Sequence, residues 1–214
     1  LHEGQVFAAR DPLGIKPLYY GEHQGVFHFA SEVRALATVC RTVQEFPAGH
    51  WFSSESGWHR YYAIDSRIQA WEGQPEEVGP AIRRVLGEAV HKRLLADVPV
   101  GVSLSGGLDS SIISLCARQE IPDLHTFAVG MAGSGDIEAA RVVADFLGTR
   151  HHELVYEEED MQAVLPEVIH SLETFDPALV RSAFPNWFLA KLASREVKVM
   201  LTGEGADELY AGYD

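Results

Sequence analysis

The chain has 214 residues, 46% of them hydrophobic, and a formal net charge of −14 at pH 7. This length allows a buried core in one or two domains, and no apolar run approaches the roughly eighteen residues that a membrane span needs. The acidic balance argues against a nucleic-acid surface, because phosphate contacts need clustered Lys and Arg. The two cysteines, Cys40 and Cys116, lie far apart, which indicates reduced thiols in the cytosol rather than a disulfide scaffold.

The first part of the chain contains short β-rich runs broken by Pro-Leu-Gly and Gly-Glu turns, a pattern typical of an antiparallel arrangement. We expect residues 1–66 to form one domain, residues 67–79 a polar linker, and residues 80–214 a second domain. The predicted strands of the first part are Val6–Ala9, Pro17–Tyr20, Val26–Ala30, Gly49–Phe52 and Arg60–Ala63.

From Pro80 onward, apolar residues recur at helical spacing, and strand-like and helix-like stretches then alternate. One helix is expected from Ile137, with Asp136 as its cap and Gly148 as its stop. Such β–α alternation predicts an α/β fold with a parallel, doubly wound sheet. The predicted strands are Val98–Leu104, His125–Val129, His152–Val155 and Val197–Leu201.

The segment Ser105-Gly-Gly-Leu-Asp-Ser-Ser111 directly follows the first of these strands and precedes a helix expected to start near Ser110. Two glycines, flanking hydroxyls and a helix N-terminus gather hydrogen-bond donors around one point, where a phosphate binds well. Asp109 would repel that phosphate unless a cation lay between them, so we expect Mg²⁺ there. The segment lacks the Walker pattern and instead resembles the PP-loop of enzymes that cleave ATP between its α- and β-phosphates.

A second loop, Gly203-Glu-Gly-Ala-Asp-Glu208, follows the strand that ends near Thr202. Loops at the carboxyl ends of parallel strands share one crevice, so this acidic loop is expected to face the first one. Asp207 is then a natural second Mg²⁺ ligand, and Glu204 a candidate acid/base or orienting group. The alternative is a solvated acidic turn that caps a helix from Ala206 onward.

Three other features favour structural roles. The triplet His151-His152-Glu153 suggests zinc, but it lacks the helical His-Glu-x-x-His spacing and a nearby cysteine pair, so a histidine pair at a strand start is favoured. Cys116 lies within the helix after the first loop, where a small buried side chain is the simplest interpretation. The acidic run 157–160 is expected to lead into a helix.

The motifs together resemble those of glutamine-dependent asparagine synthetases, and they run in one order across nearly the whole chain. The motifs that match the synthetase domain are Leu104–Ser111, Thr126–Gly130, Leu172–Asp176 with Arg181, and Gly203–Glu208; those that match the tail of the glutaminase domain are Ala9–Tyr20, Phe29–Glu32 and Pro47–Gly49.

The resemblance implies a PP-loop ATP pyrophosphatase domain preceded by the remnant of an Ntn-type glutaminase domain. It also implies an internal fragment, because the chain begins at Leu1 without the N-terminal cysteine that such glutaminases use. The implied partners are small molecules (aspartate, ATP, and ammonia or glutamine), with a homodimer expected for the intact enzyme.

Residue roles carry over position by position. Leu104, Val129 and Gly203 are expected around adenosine, Arg181 on a carboxylate of aspartate, and Glu204 at the proton transfer. The residues expected to bind ATP or pyrophosphate are Leu104, Ser105, Gly106, Gly107, Asp109, Ser110, Ser111, Val129, Thr202 and Gly203, with Asp109 and Asp207 on Mg²⁺.

Three alternatives stay open. Pro177-Ala178-Leu179 stands where the family often has hydroxyl residues, which leaves room for a β-lactam-forming or peptide-cyclising synthetase with another acid substrate. A nucleotide-binding module without turnover is the second. A tRNA-modifying PP-loop enzyme is the third, and the acidic balance fits it poorly.

Overall fold

A computed structural model describes residues 4–65, 73–210 and 212 of the chain. The chain divides into two compact units, residues 1–71 and 72–214, and each is described by itself below. Residues 67–72 of the predicted linker lie outside the described residues. Within the described part of the chain, no helix is both long enough and apolar enough to cross a membrane.

The first unit contains two three-stranded antiparallel sheets, which confirms the antiparallel arrangement expected from the sequence. One sheet has the order β1-β5-β6 and the other the order β3-β2-β4. Gln24 and Gly25, both with positive φ, make the tight turn between β2 and β3. The elements are β1 (Phe7–Ala9), β2 (Tyr19–His23), β3 (Val26–Ala30), α1 (Val33–Ala37), β4 (Val43–Glu45), β5 (His50–Ser53) and β6 (Gly57–Arg60).

Aromatic side chains from both sheets form the core of this first unit. The Trp58 ring lies 4.6 Å from Tyr20, 4.8 Å from Phe46 and 5.2 Å from Phe52, measured between centroids. Phe46 is fully buried. Because large aromatic rings bury much apolar surface, this cluster joins the two short sheets into one unit.

The boundaries of several predicted strands differ from the observed ones. The strand predicted over Arg60–Ala63 lies instead at Gly57–Arg60, because the N–H groups of Tyr61 and Tyr62 both bond the carbonyl of Gly49 and so end the ladder. The short elements α1 and β4 were not predicted from the sequence.

The second unit is an α/β domain with a four-stranded parallel sheet in the order β10-β7-β8-β9. The prediction of a parallel, doubly wound sheet is therefore confirmed. Its elements are α2 (Pro75–Arg93), β7 (Val100–Ser103), α3 (Leu108–Glu120), β8 (His125–Met131), α4 (Asp136–Leu147), β9 (Arg150–Tyr156), α5 (Glu158–Leu172), α6 (Pro177–Ala193), β10 (Val199–Leu201) and α7 (Ala206–Tyr210).

Helices cover both faces of this sheet, and the alternation of side chains along β8 shows it. Phe127, fully buried, packs against Leu189 and Leu192 of α6. Its neighbour Ala128 points the other way and packs with Leu104 and with α4. Burying a phenylalanine in this way stabilises the fold by about 1.5–3 kcal/mol.

Two helix starts differ from the prediction. The helix expected from Pro80 begins at Pro75, so residues 75–79 of the predicted linker are helical; Gln74 and Glu77 form a capping box there. Helix α4 has Gly135 rather than Asp136 at its N-cap. Gly148 ends α4 in the left-handed conformation, at φ 63°, as predicted.

Candidate active site

The two predicted loops meet at the point where the strand order of the second unit reverses. From β7 the chain builds the sheet outward through β8 and β9, and β10 then returns to the other side of β7. Crevices form at such reversals, outside the carboxyl ends of the strands. A Cβ on Gly203 would lie 3.1 Å from Cβ of Asp109 and 3.1 Å from the nitrogen of Ser110, so the two loops are in direct contact.

The first loop turns through Gly106, which has a φ of +81°. A Cβ there would lie 2.4 Å from the backbone carbon of Ala139, in the first turn of α4. Only glycine fits both the left-handed backbone and the close approach to that helix. The turn therefore fixes the loop against α4.

Serine side chains organise the rest of this loop. The Ser105 N–H donates to the Ser110 hydroxyl at 3.2 Å, and the Gly107 N–H donates to the Ser105 hydroxyl at 3.3 Å. The Ser111 hydroxyl donates to the Gly107 carbonyl at 2.6 Å. With Gly107 as its N-cap, α3 begins at Leu108 and directs its positive end at the loop.

A cavity of about 290 Å³ lies between the two loops. It brings together most of the predicted site, including Asp109, Glu204 and Asp207. The predicted residues that line it are Leu104, Ser105, Asp109, Ser110, Val129, Thr202, Gly203, Glu204 and Asp207.

Four predicted residues are not among the lining. Gly106, Gly107 and Ser111 belong to the same loop and the first turn of α3. Arg181 is exposed on α6, four residues before Pro185, which does line the cavity. Residues four apart share a helix face, so Arg181 lies one turn beyond the cavity wall.

Helix α6 contributes lining residues that the sequence analysis missed: Pro185, Asn186 and Leu189. The only polar one of the three, Asn186, interrupts an apolar stretch of the sequence. That interruption was the one sequence feature that could have indicated a residue of the site. Two residues further along the helix, Phe188 is buried in the core.

The cavity is strongly acidic. Four carboxylates line it, those of Asp109, Glu204, Asp207 and Glu208, whereas none of its described lining residues is Lys or Arg. Asp109 and Asp207 are half-buried, and Glu204 and Glu208 are exposed. A bound polyphosphate would therefore need a cation that the described lining does not supply.

The histidines at the start of β9 lie on opposite faces of the sheet, as strand geometry requires. The His151 Nδ1 is 2.9 Å from the Thr126 hydroxyl, whereas the His152 ring stacks on Phe127. His151 and His152 thus form the histidine pair at a strand start that the sequence favours, and their rings do not face a common point. Burial lowers the pKa of both histidines below the ordinary value of 6.5.

These depressed pKa values predict an acid-sensitive fold. In the unfolded chain these two histidines bind protons near pH 6.5, whereas in the folded chain they do so only at lower pH. The free energy of unfolding is therefore highest above pH 6.5 and falls as the pH drops below it. Urea denaturation of His151→Gln between about pH 7.5 and about pH 5.5 should show a smaller fall than the parent chain. An identical fall would contradict this assignment.

A doubly wound parallel sheet with a serine- and glycine-rich loop at its strand-order reversal defines an α/β protein of the ligand-binding type. A family model described as "Asparagine synthase" matches residues 81–214, and one described as "Glutamine amidotransferase domain" matches residues 1–61. The chain therefore belongs to the asparagine synthase family.

Several proteins resemble this chain over most of its length. The "Probable asparagine synthetase [glutamine-hydrolyzing]" of Dictyostelium discoideum is 41% identical over 96% of this chain and 41% of its own length. "Asparagine synthetase B [glutamine-hydrolyzing]" of Escherichia coli is 38% identical over 95% of this chain and 40% of its own length. The chain thus spans 41% and 40% of the length of these two relatives. The solved NMN synthetase from Francisella tularensis covers 67% of this chain and 60% of its own, at 18% identity and a TM-score of 0.45.

Proposed function

We propose that this chain carries the adenylating centre of an asparagine synthetase. The parent reaction joins the β-carboxylate of aspartate to the α-phosphate of ATP, releases pyrophosphate, and lets ammonia displace AMP to give asparagine. In the intact enzyme, glutamine supplies the nitrogen. The observation that carries the proposal is the shared cavity: the loop of Ser105–Ser111 and the loop of Gly203–Glu208 leave neighbouring strands and line one space.

Pyrophosphate is the leaving group that the first loop is suited to hold. The loop combines the start of the 13-residue helix α3 with the hydroxyls of Ser105, Ser110 and Ser111. In this structure the hydroxyls bond one another and the loop backbone, and they can turn towards phosphate oxygens instead. Donors fixed before the reaction stabilise the charge that develops on the departing group.

Mg²⁺ fits the donor set of the cavity. Asp109 and Asp207 are half-buried carboxylates from the two loops, and no Lys or Arg in the described part of the chain forms an ion pair with either. Oxygen ligands of this kind suit Mg²⁺, which binds through one or two carboxylates plus substrate phosphates. The ion would supply positive charge against the ATP phosphates, and Asp109 and Asp207 would hold it.

Glu204 and Arg181 would serve the acceptor half of the reaction. The exposed Glu204 carboxylate lines the cavity and would take a proton from the attacking ammonia. Arg181, one helical turn beyond the wall, would form a paired hydrogen bond with a substrate carboxylate. Asp176, the last residue of the motif Leu172–Asp176, accepts from the N–H groups of Ala178 and Leu179 and so starts α6, the helix that carries Arg181.

The thiols of Cys40 and Cys116 are free, in keeping with the cytosol as the proposed compartment. We also propose that the full-length protein is a homodimer. Size-exclusion chromatography with light scattering of the full-length protein checks that part, and a monomer would contradict it.

Release of AMP and pyrophosphate from Mg-ATP is the direct test of the proposed function. The chain is incubated with Mg-ATP, aspartate and either ammonium or glutamine, and the AMP and pyrophosphate released are quantified. Products with aspartate and ammonium support the proposal. Products with a different carboxylic acid but not with aspartate would favour the β-lactam-forming or peptide-cyclising alternative. Tight binding of ATP without any AMP would favour the nucleotide-binding alternative.

Replacing Arg181 tests the assignment of the acceptor site. We expect Arg181→Gln to raise the KM for aspartate about tenfold or more, because a charged hydrogen bond to the substrate is lost. The KM for ATP should stay unchanged. Arg195→Gln is the matched control, since Arg195 is an exposed arginine beyond the other end of α6. Equal effects of both variants on aspartate would refute the role of Arg181.

A further inference from the structure

A second cluster of ligand-type side chains lies at the opposite edge of the same sheet, where the parallel strands begin. His125 is the first residue of β8, His152 the third of β9, and Glu196 lies between α6 and β10. One ligand atom of each lies within 4.8 Å of the other two. The candidate active site is at the carboxyl ends of the same strands, so the two sites are separate.

The two imidazole rings already face each other. The Nε2 of His152 is 3.0 Å from the Nδ1 of His125, and the rings are 14° from parallel. The His152 ring also stacks on Phe127, with centroids 4.9 Å apart, and Phe127 is fully buried. The packed phenylalanine therefore holds one of the two rings in place.

We propose that His125 Nδ1, His152 Nε2 and a carboxylate oxygen of Glu196 bind one divalent transition-metal ion, with Zn²⁺ as the first candidate. Two imidazole nitrogens on a tetrahedral zinc, each about 2.0–2.1 Å from the ion, lie roughly 3.3–3.4 Å apart. The observed 3.0 Å is a few tenths of an ångström shorter, so a small tilt of the rings opens the gap. Glu196 is exposed, and its side chain can swing inward to complete the set.

The chemistry of the ligands selects the metal. Two nitrogen donors and one carboxylate suit zinc and its neighbours among the transition metals, whereas Mg²⁺ prefers oxygen donors only. Without metal, the close nitrogens share a proton, one ring donating and the other accepting. Metal binding needs both of these nitrogens as lone-pair donors, so the donating ring takes its other tautomer, with the proton on its far nitrogen. Water or another group would fill the remaining position.

The alternation along β9 explains why the sequence triplet did not reveal this cluster. His151 faces Thr126 on the other side of the sheet and takes no part. The partners of His152 come from β8 and from the segment between α6 and β10, so only the folded sheet assembles them.

Zinc titration of the whole chain in excess Mg²⁺ tests the proposal. The Mg²⁺ occupies the carboxylates of the other cavity, and a chromophoric chelator reports the free zinc. We expect one ion per chain, with affinity reduced about tenfold or more in His125→Gln and in Glu196→Gln. The control His23→Gln, which removes an exposed histidine of β2 in the first unit, should bind zinc as the parent chain does.

Glu196→Gln keeps the test decisive if His125→Gln fails to fold, because Glu196 is exposed and makes no packed contact in any of the buried clusters. Nitrogen-15 spectra of labelled histidine provide a second readout: zinc should shift the Nδ1 resonance of His125 and the Nε2 resonance of His152. The proposal is overturned if no stoichiometric zinc binds in excess Mg²⁺, or if Glu196→Gln and the control bind zinc equally.

Discussion

Gly106→Ala should lower the free energy of unfolding by about 2–4 kcal/mol, from the left-handed backbone and the overpacking together. The added methyl group would lie 2.4 Å from the backbone of Ala139 at a φ of +81°. The loop can accommodate this methyl group only by moving away from α4, so we also expect ATP binding to weaken. Urea denaturation followed by circular dichroism measures the first effect, and calorimetric titration the second.

The neighbouring glycine supplies the control for stability. Gly107 has a φ of −71°, and a Cβ there would meet only the Ser105 hydroxyl, at an ordinary 3.4 Å. Gly107→Ala should therefore change the free energy of unfolding by less than about 1 kcal/mol. Equal losses in the two variants would mean that the contact with α4 does not constrain the loop.

Asp109→Asn should reduce Mg-dependent AMP release by about a hundredfold or more. The substitution removes the negative charge that would hold Mg²⁺ beside the ATP phosphates, where charge develops during the reaction. Asparagine has almost the same shape, and the cavity lining already contains three other carboxylates, so folding should be unaffected. The loss should also appear as weaker Mg-ATP binding with little change in binding of ATP alone. Initial rates across a range of Mg²⁺ concentrations measure it.

Asp97→Asn provides the comparison for that variant. Asp97 is an exposed aspartate that precedes β7, at the opposite edge of the sheet from the cavity. Its replacement removes the same charge from the chain without touching the site. If both variants lose activity equally, net charge rather than a ligand at Asp109 is responsible.

The parts of the site that could be predicted are those formed by residues that are close together in the sequence, or that a general rule for parallel sheets brings together. A buried strand, a glycine turn and a helix start are local features, so the loop after β7 can be predicted from the sequence. The loop after β10 joins it by a general rule for parallel sheets, and the contact of Gly203 with Asp109 follows that rule.

Tertiary contacts account for what the sequence did not reveal. Asn186 reaches the cavity only because α6 crosses the face of β8, and no local pattern encodes that crossing. In the first unit, Tyr61 and Tyr62 have the sequence pattern of strand residues, yet the backbone N–H groups of both donate to the carbonyl of Gly49. Strand β4 is only three residues long, too short for alternation to mark it.

The pairing of β7 with β10 also has a consequence for folding order. Val100 pairs with Val199, whereas β7 and β8 are joined by a single helix. Contacts between residues so distant along the chain cost the most loop entropy and tend to form late. A chain emerging from the ribosome would thus present the loop of Ser105–Ser111 well before the loop of Gly203–Glu208 exists. The two halves of the cavity meet only after α6 has packed and β10 has closed the sheet.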